Sequence, residues 1–374
     1  MSGEPNDIIK QPTKIAVLGG GCAALSLAAN TNLLSGKQLH VIAPKVHKSD
    51  QDHIWGFWKM DWLQDAVPLT RKTWHKWAVR NADTEVIMHA DAYPYHAITR
   101  RSWLEHCNAR AQENDVFFHE DMTQLATLSP KQVFDSRPPR REPNMMLQHF
   151  IGWEICAEPG SFDDSTAILM DFRCDQSRGM HFIYCLPFSD REALVESTLF
   201  SPTLETNEFY ETAISSWLKK YAGVSRFNLL RREQGAIPLG VMNRHDPDFQ
   251  GIGANGGAIR PSSGYAFSFI QKQIDTALKH VSDGHMLQFA TPHKPIDLWM
   301  DKIFLSVLRY QPRYAPKIFT ALAGSLTGDE FAHFLSGEAH ILLRAKVVAA
   351  LPSLPVIRAL LRLAECEPFI MILI

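Results

Sequence analysis

Gly19, Gly21 and Ala24 in "GGGCAA" stand at the spacing G-x-G-x-x-G/A. Glycines there let a backbone approach a pyrophosphate, and the N–H groups that open the next helix offer it positive partial charge. Two carboxylates also stand inside apolar, strand-like runs, Glu196 in "ALVEST" and Asp171 in "LMDF". A carboxyl buried in an apolar sheet has its charged form disfavoured, so its pKa rises. Alternation along "ALVEST" puts Leu194, Glu196 and Thr198 on one face. The residues leave two readings open at each acid: a working group, or an exposed strand glutamate at 196 and a hydrogen-bonded structural carboxylate at 171. In "DHIWGFW", Trp55, Phe57 and Trp58 place flat apolar surface just behind a strand, as cavity lining or as core between domains.

The elements that must hold these groups are legible. "KIAVLGGGCAALSLAANTNLL" reads as strand, glycine turn and helix, and "QLHVIA" (38–43) as a second strand: a β-α-β unit with parallel pairing. An acid is expected at the end of that second strand to hold ribose hydroxyls. The chain has Ala43, Pro44 and Lys45 instead. Either Asp50 or Asp52 reaches back, or Lys45 serves a 2′-phosphate. Residues 52–77 read as aromatic-rich loops and 99–114 as a helix capped by Thr99 or Ser102. Residues 149–201 read strand after strand, an antiparallel sheet, and 205–222 as a helix. A second glycine cluster, "GANGGAIRPSSGY", carries Gly256, Gly257, Pro261 and Gly264 ahead of a helix starting near Tyr265. In two-part flavin folds such a late turn closes over the flavin end of FAD; a plain loop is the alternative. Asp135, ending the short strand of "KQVFD", is placed with the cofactor-binding residues.

The expected fold is α/β: a Rossmann-type FAD-binding domain, an antiparallel β-sheet substrate domain and a helical C-terminal region. The spans are 1–148 and 233–289 for the FAD-binding part, 149–232 for the sheet and 290–374 for the helices. The formal net charge of −2 implies no field for nucleic acid. Six cysteines without a C-x-x-C pair suit a reduced chain, and no metal site is expected. "MSGEPNDIIKQPTK" has no apolar core of a signal peptide. The C-terminal "ILLRAKVVAALPSLPVIRALLRLAECEPFIMILI" reads as two short helices that pack on the body or rest on a lipid surface.

Ordered along nearly the whole chain, "VLGGGCAALSLA", "DHIWGFW", "YHAITR", "VFDSRP", "FIGWEI", "ILMDF", "GMHFIYCLPFS", "ALVEST", "REQGAIPL" and "RPSSGYAF" resemble the bacterial-type lycopene β-cyclases. The chain departs from that pattern twice. An acid is usual at the Ala43 position, and Glu-Asp-Thr is usual where Glu196-Ser197-Thr198 stands. The resemblance implies an isomerisation: an acid protonates the terminal alkene of a ψ end group, the C5–C6 alkene attacks the tertiary cation, and loss of the C6 proton leaves a β ring. It implies lycopene or a related acyclic carotene as substrate, giving γ-carotene and then β-carotene, with reduced FAD as cofactor and NAD(P)H as reductant. Glu196 is then the catalytic acid, and Asp171 its relay or orienting partner. Trp55, Phe57 and Trp58, with Trp153 and Tyr184, line the substrate pocket, where aromatic faces stabilise a cation. A substrate without water solubility implies a cytoplasmic enzyme peripheral to the inner face of the cytoplasmic membrane. The rival readings are an FAD-dependent monooxygenase or epoxidase of a lipophilic substrate and a non-catalytic nucleotide-binding relative.

Overall fold

The computed structural model describes residues 12–44, 52–283 and 285–366. Lys45 and Asp50, weighed above for the ribose, lie outside the described residues. A five-stranded parallel sheet runs in the order β15 (Gln250–Gly251), β9 (Gln132–Asp135), β1 (Thr13–Leu18), β2 (Lys37–Ile42), β8 (Phe117–His119). Ile15 to Leu18 are fully buried, because both faces of the sheet are covered. Ile15 and Val17 pack on α1 (Cys22–Ala28) and α5 (Phe267–Ser282); Ala16 and Leu18 pack on α3 (Gln124–Leu128). Such a strand reads as one unbroken apolar run. α2 (Arg100–Glu113) is the helix expected at 99–114, and Thr99 Oγ1 caps it by accepting from the Ser102 N–H.

A larger, seven-stranded sheet follows the order β14 (Phe227–Leu239), β10 (Met146–Ala157), β13 (Glu192–Ser201), β12 (Met180–Pro187), β11 (Thr166–Asp171), β5 (Lys76–Arg80), β6 (Glu85–His89). All pairs are antiparallel except β11 with β5. The sheet therefore exceeds the expected span of 149–232 at both ends. β5 and β6 come from far upstream, and a connection of that length carries no local signal of where it will pair. Residues 52–77, expected as loops, also contain strands: β3 (Ile54–Trp58) and β4 (Lys72–Trp74) flank β7 (Tyr95–Thr99) in a small third sheet. Aromatic and β-branched residues suit such a pleated surface.

The seven-stranded sheet has two covered faces. On one, Ile151, Ile155, Ile183, Val195 and Leu199 pack against Tyr210, Ile214 and Trp217 of α4 (Asn207–Tyr221). The other face looks toward the third sheet and the helices α6 (Pro295–Tyr310), α7 (Ala315–Ser325), α8 (Gly328–Leu335) and α9 (Ile341–Ala350). The chain then turns at Pro352 into α10 (Ser353–Cys366), with Pro355 in its first turn, where a proline is tolerated.

Candidate active site

Strand register decides what stands together. Glu196 of β13 pairs with Gly152 of β10 on one side and Tyr184 of β12 on the other, and Gly152 pairs with Glu233 of β14. Directly paired residues project to the same face of a sheet. The row Glu233, Gly152, Glu196, Tyr184 thus crosses four strands on the face turned away from α4. Before this face lies a cavity of about 540 Å³, lined by Glu196, Tyr184, Trp55, Phe57 and Trp58 among others. That volume is in the range of pockets that enclose a small ligand.

Glu196 is 8% exposed. Burial first, and the negative charge of Glu233 second, push its carboxyl up to about 8, while Thr198 Oγ1, donating to Glu196 Oε1 at 2.5 Å, acts the other way. At neutral pH the group is a carboxylic acid. Glu233, 2% exposed, is likewise raised by burial, although Arg231 Nη1 lies 2.9 Å from its Oε2 and the Ile54 N–H donates to that oxygen at 3.1 Å. The surroundings are aromatic. Trp55 stacks on Phe267 at 5.0 Å between centroids, and Trp58 stands 5.0 Å from Tyr95 and 5.7 Å from Tyr265. The Tyr95 and Tyr184 hydroxyls are 2.9 Å apart, and burial raises both phenols. Gly56 must be glycine here, since a Cβ would meet the Tyr95 hydroxyl at 1.9 Å. Cys22 also lines the cavity, and burial pushes its thiol up to about 12, so no thiolate stands there. An acid, aromatic faces and no ionised nucleophile at Cys22 are what a carbocation reaction requires.

Two sequence expectations are corrected. Asp171 is fully buried but turned to the α4 side, where Arg173 Nη2 lies 2.6 Å from Oδ2, Arg173 Nε donates to Oδ1 at 2.9 Å, and Trp217 Nε1 donates to Oδ2 at 2.9 Å. It does not line the cavity and is a structural carboxylate. Trp153 pairs with Val195 rather than with Glu196, which puts it on the α4 face; it packs against Phe227 at 6.0 Å. Both errors have one cause. An apolar strand buried on two faces does not tell in sequence which face is which. The same parity places Ser197, where the family pattern has an acid, on the far face, its Oγ 2.8 Å from His181 Nε2. That departure leaves the lining around Glu196 untouched.

The glycine clusters come together. Gly19 has φ +96°, and a Cβ on it would meet Ser136 Oγ at 2.7 Å. Gly21 precedes α1 with open space around it and no side-chain cap. Ala24 is buried in the first turn of α1. A Cβ on Gly253 would meet that of Ala23 at 2.4 Å, so the second cluster sits on the first helix. Gly256 closes a single turn of 3-10 helix before Gly257, at φ +77°, and Pro261 and Gly264 belong to the bend that enters α5. Asp135 is fully buried and held in a bidentate pair by Arg137, with both N···O distances 2.9 Å, so what β9 offers outward is Arg137. Asp52, weighed for the ribose, is engaged elsewhere: its Oδ1 accepts from the Arg101 N–H at 2.9 Å.

Sequence reasoning missed several cavity groups. Among the described residues, Arg260 Nη1, Ser263 Oγ and Gln148 Oε1 are buried without a hydrogen-bond partner, and all three residues line the cavity. Buried polar atoms are rarely left unpaired. These groups can hydrogen-bond a polar ligand near the start of α5. Glu233 and Gly152 were also missed. "EQGAIP" carried a signal, but cross-strand register alone makes it meaningful.

Fold and site together define a class: a Rossmann-type parallel sheet with glycine turns, joined to an antiparallel sheet that walls an apolar cavity holding a neutral acid. The chain belongs to the lycopene cyclase family; the model described as lycopene cyclase protein matches residues 14–361. The lycopene beta-cyclase of Pantoea ananas is 27% identical over 230 residues, covering 57% of this chain and 59% of that protein. The match thus spans less than two thirds of that relative. In fold, the chain is similar to a geranylgeranyl bacteriochlorophyll reductase-like protein from Thermoplasma acidophilum (TM-score 0.55, 12% identity, 96% and 97% of the two chains). It is also similar to a flavin-dependent halogenase from Xanthomonas campestris (TM-score 0.52, 11% identity, 90% and 83%).

Proposed function

We propose that this protein is a lycopene β-cyclase, an intramolecular lyase that closes the ψ end groups of lycopene into β rings without net electron transfer. The observation that carries this reading is the Glu196 carboxyl, held neutral by burial inside an aromatic cavity of a lycopene cyclase family member. In the proposed reaction Glu196 gives its proton to the terminal alkene. The Trp55, Phe57 and Trp58 rings face the resulting cation, and the C5–C6 alkene closes on it. Uptake of the C6 proton by a base, with a proton returned to the Glu196 carboxylate, restores the acid and leaves a product isomeric with the substrate. Aromatic faces contribute about 0.5–2 kcal/mol each to such a cation.

FAD is the proposed cofactor, with NAD(P)H as reductant. The likeness to a flavin-dependent halogenase supports it, as do the meeting of the two glycine clusters and the unpaired polar atoms of Arg260, Ser263 and Gln148. Reduced flavin would supply negative charge beside the developing cation. Co-expression in a lycopene-accumulating host tests the reading. Red cells are expected to turn orange-yellow, with the product isomeric with lycopene and NADPH used in catalytic amounts. Persistent red colour alongside soluble, FAD-loaded protein refutes it, and one NADPH spent per product indicates a monooxygenase instead.

We also propose peripheral binding to the inner face of the cytoplasmic membrane. Among the described residues no helix is long and apolar enough to cross a membrane. α9 shares in the cavity wall through Val347 and exposes Ile341 and Leu342 at 80% and 73%; α10 exposes Leu354, Ile357 and Leu361 beside Arg358 and Arg362. Exposed apolar side chains next to arginines suit an anionic lipid surface. Co-flotation with anionic vesicles is expected, and the double substitution Ile341→Ser, Leu342→Ser should release most of the protein. Equal recovery without vesicles rejects the proposal.

A further inference from the structure

Glu233 has no role in the chemistry just described, yet it is almost fully buried on the same face of the sheet as the acid. Between the two stands Gly152, paired with both. A Cβ on Gly152 would meet Glu233 Cγ at 3.0 Å and Glu233 Oε1 at 3.4 Å. The missing side chain is therefore the space into which Glu233 leans. Two strand spacings separate the backbones of the two glutamates, about 10 Å, and both side chains shorten that gap.

The charges around them are countable. Arg231 lies 2.9 Å from Glu233 and 3.1 Å from Glu154; Arg71 lies 2.7 Å from Glu154 and 3.4 Å from Glu192. The two arginines are balanced once Glu154 and Glu192 are ionised. Glu233 is already surplus, and a charge on Glu196 would be a second surplus in an apolar wall. Among the described residues, the other groups around Glu196 bring no compensating cation. Tyr184, Tyr95 and Tyr265 are kept neutral by burial, which also opposes the charged form of His53 on the first residues leading into β3. Arg260 is committed to Asp301 at 2.6 Å.

We propose that Glu233 is the positioning residue of the acid: across the gap at Gly152 it shares one negative charge with Glu196, and so keeps the Glu196 carboxyl protonated and ready to donate. No proton need pass between them; the pair acts through repulsion in a water-poor wall, where a second charge is costly. The role of Glu196 as donor rests on the proposed cyclisation, but the sharing of charge does not.

Carboxyl NMR of protein labelled with glutamate carbon-13, in the absence of substrate, tests the sharing directly. The Glu196 signal is the one lost in Glu196→Gln. In Glu233→Gln its midpoint is expected to fall by about one pH unit, a tenfold loss of proton affinity. Coupling is reciprocal in free energy, so in the wild-type protein the Glu233 signal must respond a second time as Glu196 titrates, and in Glu196→Gln that second response must vanish. That second measurement decides the matter if Glu233→Gln does not fold. A Glu196 midpoint that stays in place in Glu233→Gln, or a wild-type Glu233 signal without the second response, overturns the proposal. Where cyclisation is measured, Glu233→Gln should hold most of its rate near pH 6, lose about threefold near pH 7.5 and approach a tenfold loss near pH 9, and Glu233→Asp should restore the profile. An equal loss at every pH marks a structural role and also overturns it. Shared titration in a protein without cyclase activity would uphold this inference and remove the proposed function.

Discussion

Glu196→Gln is expected to lower ring formation by about 10³-fold or more, the scale of a lost general acid, while the fold and cofactor loading persist. Gln is nearly isosteric and satisfies Thr198 Oγ1, which donates to Glu196 Oε1, so the lining keeps its shape. What goes is the proton. Of the other cavity groups, the phenols of Tyr95 and Tyr184 are raised even above their ordinary range and the Cys22 thiol to about 12, so none of these donates as readily as a carboxyl, and the Asp301 carboxyl is paired with Arg260 at 2.6 Å. The wild-type rate should follow the protonated form of Glu196. Because its pKa is raised to about 8, the rate is expected to be flat below that value and to fall as pH rises through it. Pigment extraction with product quantification, for both variants across pH 6 to 9, makes the check. A Glu196→Gln variant with wild-type product levels would remove the acid from the proposal.

Asp171→Asn is expected to act on stability and not on chemistry. The side chain is fully buried and meets the Arg173 guanidinium with both oxygens, while Trp217 donates to it from α4. Removing one partner of a buried pair leaves the other uncompensated and costs about 3–5 kcal/mol. Arg173 keeps 26% of its side chain exposed and rests on the Tyr221 ring at 4.0 Å, so water can take part of its charge. The cost therefore lies at the lower end, ~3 kcal/mol. Denaturant unfolding should show the midpoint shift, and turnover per folded molecule should stay within about twofold, as it does for changes remote from the reacting atoms. A rate loss comparable to that of Glu196→Gln at unchanged stability would instead return Asp171 to the chemistry.

The contrast between the two acids shows where sequence reading stops. Glu196 and Asp171 looked alike: one acid each within an apolar run, on strands bounded by turns. Their difference is parity. Glu196 shares its row with Gly152 and Tyr184 and faces the cavity, whereas Asp171 faces Arg173 and Trp217. Trp153 and Tyr184 separated in the same way. Glu233 is the converse case, an acid in a charged-looking "RRE" that only the β10 partner turned inward.

From its residues alone this chain specified its β-α-β start, its glycine turns, its run of antiparallel strands and its helical end. Each of those depends on neighbours a few positions apart, through alternation, turn chemistry and helical period. Tertiary structure alone decided which strand faces meet the cavity, that β5 and β6 join the large sheet, that the two glycine clusters touch, and that Glu196 stands in line with Glu233. Those outcomes rest on pairings between residues far apart in the chain. A register displaced by one residue would keep the local preferences and send every side chain of the strand to the opposite face.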